Sequence, residues 1–96
     1  MVSLYIYLNL NFREMKLVLK IAFDTITNKE IFIDNPSYIP LLGELVNITP
    51  EDFMDDTKDI EALNYYSERG IWKAGFKTVT YTKDTTTVLI VLEEVL

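Results

Sequence analysis

Leu4, Ile6, Leu8, Leu10 and Phe12 alternate with Tyr5, Tyr7, Asn9, Asn11 and Arg13. This is the period of two that arises when successive side chains of a strand point to opposite faces and one face is buried. A second alternation follows, with Met15, Leu17, Leu19, Ile21 and Phe23 on one side and Lys16, Val18, Lys20, Ala22 and Asp24 on the other. The apolar positions have moved from even to odd numbers, which a regular strand cannot do, so the pattern predicts a turn or bulge at Arg13-Glu14. Met15 also opens a complete amphipathic strand of its own. The chain therefore offers two readings of its start, Met1, or Met15 with residues 1 to 14 as an upstream extension.

Asp24-Thr-Ile-Thr-Asn-Lys-Glu30 concentrates turn formers between apolar runs, which predicts an antiparallel hairpin joining Phe23 to a strand at Ile31-Phe32-Ile33. Pro36 and Pro40 remove ladder donors and make 34 to 44 a structured loop. Leu45, Val46 and Ile48 form a short strand. Thr49-Pro50-Glu51-Asp52 then reads as an N-cap, a proline at the first helical position and an acidic first turn. The helix is expected to run to about residue 69, with Ile60, Leu63, Tyr66 and Ser67 on its apolar stripe, Arg69 in its last turn and Gly70 in the left-handed position that follows. Trp72 to Tyr81 and Val88 to Leu92 are strands around a Lys83-Asp84-Thr85 turn. The continuous apolar run of the last predicts a central strand covered on both faces. Gly75 marks a bulge, because Trp72, Ala74 and Phe76 share one parity while Val79 and Tyr81 share the other.

Together these elements predict one α+β domain over 1–96: a mainly antiparallel sheet of five or six strands, curled toward a small barrel, with a helix from about 50 to 69 packed on it. The expected core runs through alternate strand positions, from Leu17 to Phe23, Ile31 and Ile33, Val46 and Ile48, Trp72, Val79 and Tyr81, and Val88 to Leu92, with Ile60 and Leu63 from the helix.

The segments Tyr38-Ile39-Pro40-Leu41-Leu42-Gly43-Glu44-Leu45-Val46-Asn47-Ile48, Val79-Thr80-Tyr81 and Val88-Leu89-Ile90-Val91-Leu92-Glu93-Glu94 resemble small β-rich proteins of bacteria and their phages. In those proteins a Pro-x-x-Gly-Glu-x-Val-x-Ile strand precedes a C-terminal hairpin. The resemblance covers residues 16 to 94 and implies a small curled sheet or barrel, a phage or mobile-element connection and no established activity. The N-terminal strand and the acidic insert at 50 to 70 depart from that pattern and bear on barrel closure.

Composition narrows the chemistry. With 96 residues, 49% hydrophobic and 25% charged, the chain is an ordinary globular sequence. It has no cysteine and no histidine, which excludes disulfides, thiol nucleophiles, Cys/His zinc sites and imidazole-based triads. Neither the serines nor the three glycines fall in a nucleophile-elbow or phosphate-cradling spacing, and no cofactor is indicated. The uncharged opening run of twelve residues is shorter than the roughly 18 needed to cross a bilayer and carries no basic residues ahead of it, so neither a membrane span nor a secretory signal is expected. A reducing cytoplasm is the expected compartment.

The net charge is −6, of which the segment 51 to 61 carries −5. Phosphate backbones repel such a chain, so nucleic acid is not an expected partner. The block itself has several readings. Asp52, Asp55 and Asp59 would share a face of a continuous helix and offer hard oxygens to Ca²⁺ or Mg²⁺, although the spacing and missing glycine exclude an EF-hand loop. Asp55, Asp56 and Asp59 would equally dock a basic protein or imitate a phosphate backbone. The plainest reading is that acids favour a helix N-terminus and otherwise sit in solvent. Glu44, lying between apolar residues, is the one isolated candidate for acid–base chemistry, and a solvated strand position explains it as well.

The aromatics supply a second set of candidates. Tyr5, Tyr7, Tyr65 and Tyr66 are polar-tipped rings of the kind enriched at protein interfaces. The expected function is a non-enzymatic interaction or structural module that engages a protein partner, or a second copy of itself, through an aromatic face and an acidic helix. The alternative is a divalent-cation binder or small acid-dependent enzyme using the carboxylates of 51–61.

Overall fold

Five strands form a single mixed sheet in the order β2-β1-β5-β4-β3, covered on one face by a short helix, in a computed structural model that describes residues 15–67 and 69–95. The first alternating segment, with Tyr5 and Tyr7, and the parity break at Arg13-Glu14 lie outside the described residues. The sheet curls into a half-barrel. Among the described residues its outermost strands are β2 and β3, and no ladder joins the two.

The strands β1 (Lys16–Phe23) and β2 (Glu30–Asp34) form the expected antiparallel hairpin, with Ile21 opposite Ile31 and Leu19 opposite Ile33. Asn28, at φ 63°, supplies the left-handed turn residue that asparagine tolerates better than most. After the loop and the short β3 (Leu45–Asn47) the chain passes through a 3₁₀ turn (Pro50–Asp52) into α1 (Thr57–Tyr66). It then returns as β4 (Ile71–Tyr81) and β5 (Thr85–Glu94). β5 is the central strand, antiparallel to β4 and parallel to β1 along its length, from Lys16 opposite Thr85 to Phe23 opposite Leu92. The sheet is mainly antiparallel, as expected, and the one pair that departs from this is β1–β5, which is parallel. A short turn dictates direction within a hairpin, whereas β1 and β5 are joined through all the intervening elements, a connection long enough for a parallel pair.

On the inner face, Leu19, Ile21, Phe23, Ile31, Val88, Ile90 and Leu92 are buried, together with Trp72 and Ala74 of β4. The alternate β5 residues Leu89 and Val91 are only half-buried, so β5 is central but not covered on both faces. The bulge at Gly75 is present as a register shift between Ala74 and Phe76. It falls before Phe76, which pairs with Val91 on the outer face instead of joining Trp72 and Ala74 inside.

The helix is shorter than the sequence suggested. Phe53 closes the 3₁₀ turn by donating its N–H to Pro50 O, the Thr49 side chain caps nothing, and α1 starts only after Asp56, whose carboxylate accepts from Lys58 N at 2.8 Å. At the other end Ser67, not Gly70, is the C-cap, so Arg69 lies beyond the helix. Ten residues make about 15 Å of helix, against about 36 Å for the eleven residues of β4. This difference explains why Val79 and Tyr81, expected in the core, are exposed: they have inner-face parity but lie past the end of the cover, with Tyr81 77% exposed.

Candidate functional site

Glu44 is the most heavily engaged carboxylate among the described residues. The chain reverses at Leu41-Leu42-Gly43-Glu44, where Glu44 N–H donates to Leu41 O at 3.0 Å and Gly43 takes φ +89°. A positive φ at the third position is what a type II turn demands of glycine. The Glu44 side chain folds back over this turn. It accepts from Leu41 N at 2.6 Å and from the Tyr38 hydroxyl, which is 2.8 Å from both carboxylate oxygens. The backbone N–H of Leu41 first, the Tyr38 hydroxyl next and the nearby Lys77 charge last hold this carboxyl below its ordinary range. The same bond to Glu44 raises the Tyr38 hydroxyl above its ordinary value. Glu44 is thus a turn clamp, neither a free acid nor an idle strand residue.

A pH dependence follows from these two directions. The Glu44 pKa is lower in the folded state than in the unfolded chain, so its contribution is present above the ordinary carboxylate range and is lost as pH falls through the folded pKa. Tyr38 titrates the other way: its contribution is present below pH 10.0 and is lost as pH rises through its raised folded pKa. The melting temperature of wild type minus that of Glu44→Gln should therefore be largest near neutrality and shrink at both extremes. A difference that stays constant with pH would remove the clamp.

The acidic block is divided by the break before α1. Asp52 lies in the 3₁₀ turn, Asp55 in the link that follows, and Asp59 in the first turn of α1, so the three do not share one helical face. No group of three or more acidic, histidine or cysteine side chains suited to a metal ion occurs among the described residues. Asp56 is consumed as the helix cap. Asp59 pairs with Lys29 at 2.8 Å, tying α1 to the β1–β2 turn, and its hydrogen bond raises the Lys29 pKa. Tyr65 and Tyr66 stand at the far end of α1 as an edge-to-face pair at 5.1 Å, with Tyr65 80% exposed. Arg69, beside them in sequence, borders a shallow open depression of about 350 Å³ with Asn47, Thr49 and Asn64.

A different surface collects large apolar side chains, and the sequence reading missed it. The outer face of the sheet carries Phe32 on β2, Phe76 on β4 and Leu45 on β3, which are 60%, 52% and 63% exposed, with half-buried Leu89 and Val91 of β5 between them. The signal was available in the alternation of β5, where both parities are apolar, and in the bulge at Gly75. Every strand charge on this face is neutralised by a neighbour: Lys16 with Asp34 at 3.5 Å, Lys20 with Glu30 at 3.1 Å and Lys73 with Glu93 at 3.4 Å. Lys20 also lies 5.8 Å from the centre of the Phe32 ring.

No helix among the described residues is long and apolar enough to cross a membrane. Compared with family models, curated proteins and solved structures, the chain finds no match.

Proposed function

We propose that this domain is a non-enzymatic interaction module of the cytoplasm that binds protein. The observation that carries this reading is the outer sheet face, where Phe32, Phe76 and Leu45 stand in solvent around Leu89 and Val91. Scattered exposed hydrophobics are ordinary on a soluble protein, but a contiguous apolar patch rimmed by polar residues is characteristic of an interface. Here Phe76, Leu89 and Val91 adjoin one another with Thr78, Thr80 and Thr87 on one side, while Lys20 stands between Leu89 and Phe32, and the Lys73–Glu93 pair between Val91 and Leu45. Of the carboxylates offered for chemistry, Glu44 and Asp59 are occupied in holding a turn and a loop, and Asp56, offered for docking a basic protein, caps α1.

The exposed Tyr65-Tyr66 pair and the free acids at the opposite end of α1 favour a second surface, suited to a partner with both apolar and basic groups. A photo-crosslinking side chain placed at 32, 76 or 65, with 83 at the hairpin tip as control, separates the two in source cells. Discrete protein adducts at 32 and 76 and none at 83 are expected. Adducts confined to 65 would move the interface to α1. Equal labelling at all four positions, or none, would refute an interaction module.

A further inference from the structure

β4 is longer than the strand beside it. On one side it pairs with β5 from Trp72 to Tyr81, whereas on the other β3 reaches only Ile71 to Lys73, with Gly43 and Glu44 adding bonds of 2.8 and 2.9 Å at Ala74. From residue 76 to 81 no described strand lies against that second side. The direction of the backbone groups there follows from the turn. Thr82 N–H donates to Thr85 O at 2.8 Å, and hydrogen-bonded positions alternate along an antiparallel pair. Thr80 and Thr78 therefore bond to β5, while the N–H and C=O of Lys77, Val79 and Tyr81 point away from it. A row of this kind is a template for one more strand. We propose that this open edge is a strand-addition site and that residues 4 to 10 of the same chain are the strand it takes.

The point at which the chain enters the described structure favours its own N-terminal segment over a separate chain. Lys16 N–H donates to Asp84 O at 3.0 Å, so β1 begins at the end of the sheet where β4 finishes. A strand arriving there runs in the direction of β4 and pairs with it in parallel. Neighbouring strands lie about 4.8 Å apart, so a strand beyond β4 stands about 14 Å from β1, across β5 and β4. The link from Met15 back to Asn11 spans about 14 Å when extended. Residues 4 to 10 are then left for the open positions 76 to 81, with Ile6, Leu8 and Leu10 on the face of Lys77, Val79 and Tyr81. On that face Val79 and Tyr81 are exposed because α1 does not reach them, and Lys77, half-buried, lies close enough to Glu44 to lower its carboxyl. The alternating apolar residues of the segment thus extend the inner face at the end the helix leaves bare. A tethered strand also meets the edge at an effective concentration on the order of millimolar, which a separate chain has to match by abundance.

Amide hydrogen exchange of the full chain, read residue by residue by nuclear magnetic resonance, is the test. The amides of Thr78 and Thr80 donate to β5 and report that the sheet is folded, while those of Lys77, Val79 and Tyr81 report the occupant of the edge. In wild type both sets are expected to exchange slowly, to the same degree at every protein concentration. Leu8→Asp, made in the full chain, should speed exchange at Lys77, Val79 and Tyr81 by on the order of a hundredfold and leave Thr78 and Thr80 slow. Asn9→Asp, of the opposite parity, should change neither set. Should Leu8→Asp also release Thr78 and Thr80, the milder Leu8→Asn is read in the same way. Fast exchange at Lys77, Val79 and Tyr81 in wild type overturns the proposal, as does protection there that survives substitution of Leu8. Protection that grows with protein concentration also overturns it, because a second copy then supplies the strand.

Discussion

Trp72→Ala is expected to destabilise the domain by about 3–5 kcal/mol, the usual range for truncating a buried aromatic ring. Trp72 is 1% exposed and its ring meets Phe23 edge to face at 4.9 Å, so it spans from β4 across β5 to β1. It also belongs to the buried cluster that contains Leu63, the one fully buried residue of α1, so the cavity left by alanine would lie at the junction of helix and sheet. Collapse of the surroundings into that cavity is restricted from the sheet side, where Trp72 is paired with Val46 of β3 and Glu94 of β5. The loss is large against a total of ~5–15 kcal/mol for a domain of this kind. Chemical denaturation followed by far-ultraviolet circular dichroism measures it, and a midpoint equal to that of wild type would remove Trp72 from the core.

Gly70→Ala should come second, and the comparison with Gly43→Ala shows why. Both glycines lie in the left-handed region, at φ +70° and φ +89°. An L side chain there costs about 1–2 kcal/mol. The sites differ in what a Cβ would meet. At Gly43 nothing lies within 4 Å, whereas at Gly70 it would stand 2.5 Å from Ile48 O and 3.0 Å from Asn47 Oδ1. Asn47 Oδ1 can swing aside with its side chain, but Ile48 O is backbone and cannot retreat easily, because Ile48 N–H donates to Gly70 O at 2.7 Å and holds the two segments together. Relieving such overlap adds about 1–3 kcal/mol to the conformational cost. Gly70→Ala is therefore expected to lose about 2–5 kcal/mol and Gly43→Ala no more than about 2. Equal losses at the two positions would show that the contact with Ile48 contributes nothing.

Much of the local structure was legible because its causes are local. The β1–β2 hairpin follows from turn formers between two apolar runs, and Trp72 to Tyr81 reads as a strand with a bulge at its glycine. What failed did so at identifiable points. Thr49-Pro50-Glu51-Asp52 does begin a helical turn, but the chain leaves it at Phe53 and a different residue, Asp56, caps the true helix. Local capping signals announce a start and do not guarantee continuation. Gly75 announced a bulge, yet the sequence could not say on which side of Phe76 the register slips, and that one position decides whether the ring is in the core or in solvent. Glu44 was read by its neighbours in sequence, whereas its role depends on a side chain folding back across a turn to Leu41 and Tyr38.

The sequence by itself determined which residues alternate, where the chain reverses, how the negative charge is concentrated and which chemistries are absent for want of cysteine and histidine. These are properties of single residues and of spacings within a few positions, where side-chain period and turn preference act. Only the tertiary structure decided that β5 runs parallel to β1 at the centre of the sheet, that a ten-residue helix leaves Val79 and Tyr81 uncovered, and that Phe32, Phe76, Leu89 and Val91 converge on one neutral face. The reason is that periodicity assigns a residue to a face but carries no information on strand direction, strand order or the reach of the element packed above. Those follow from how distant segments share one core.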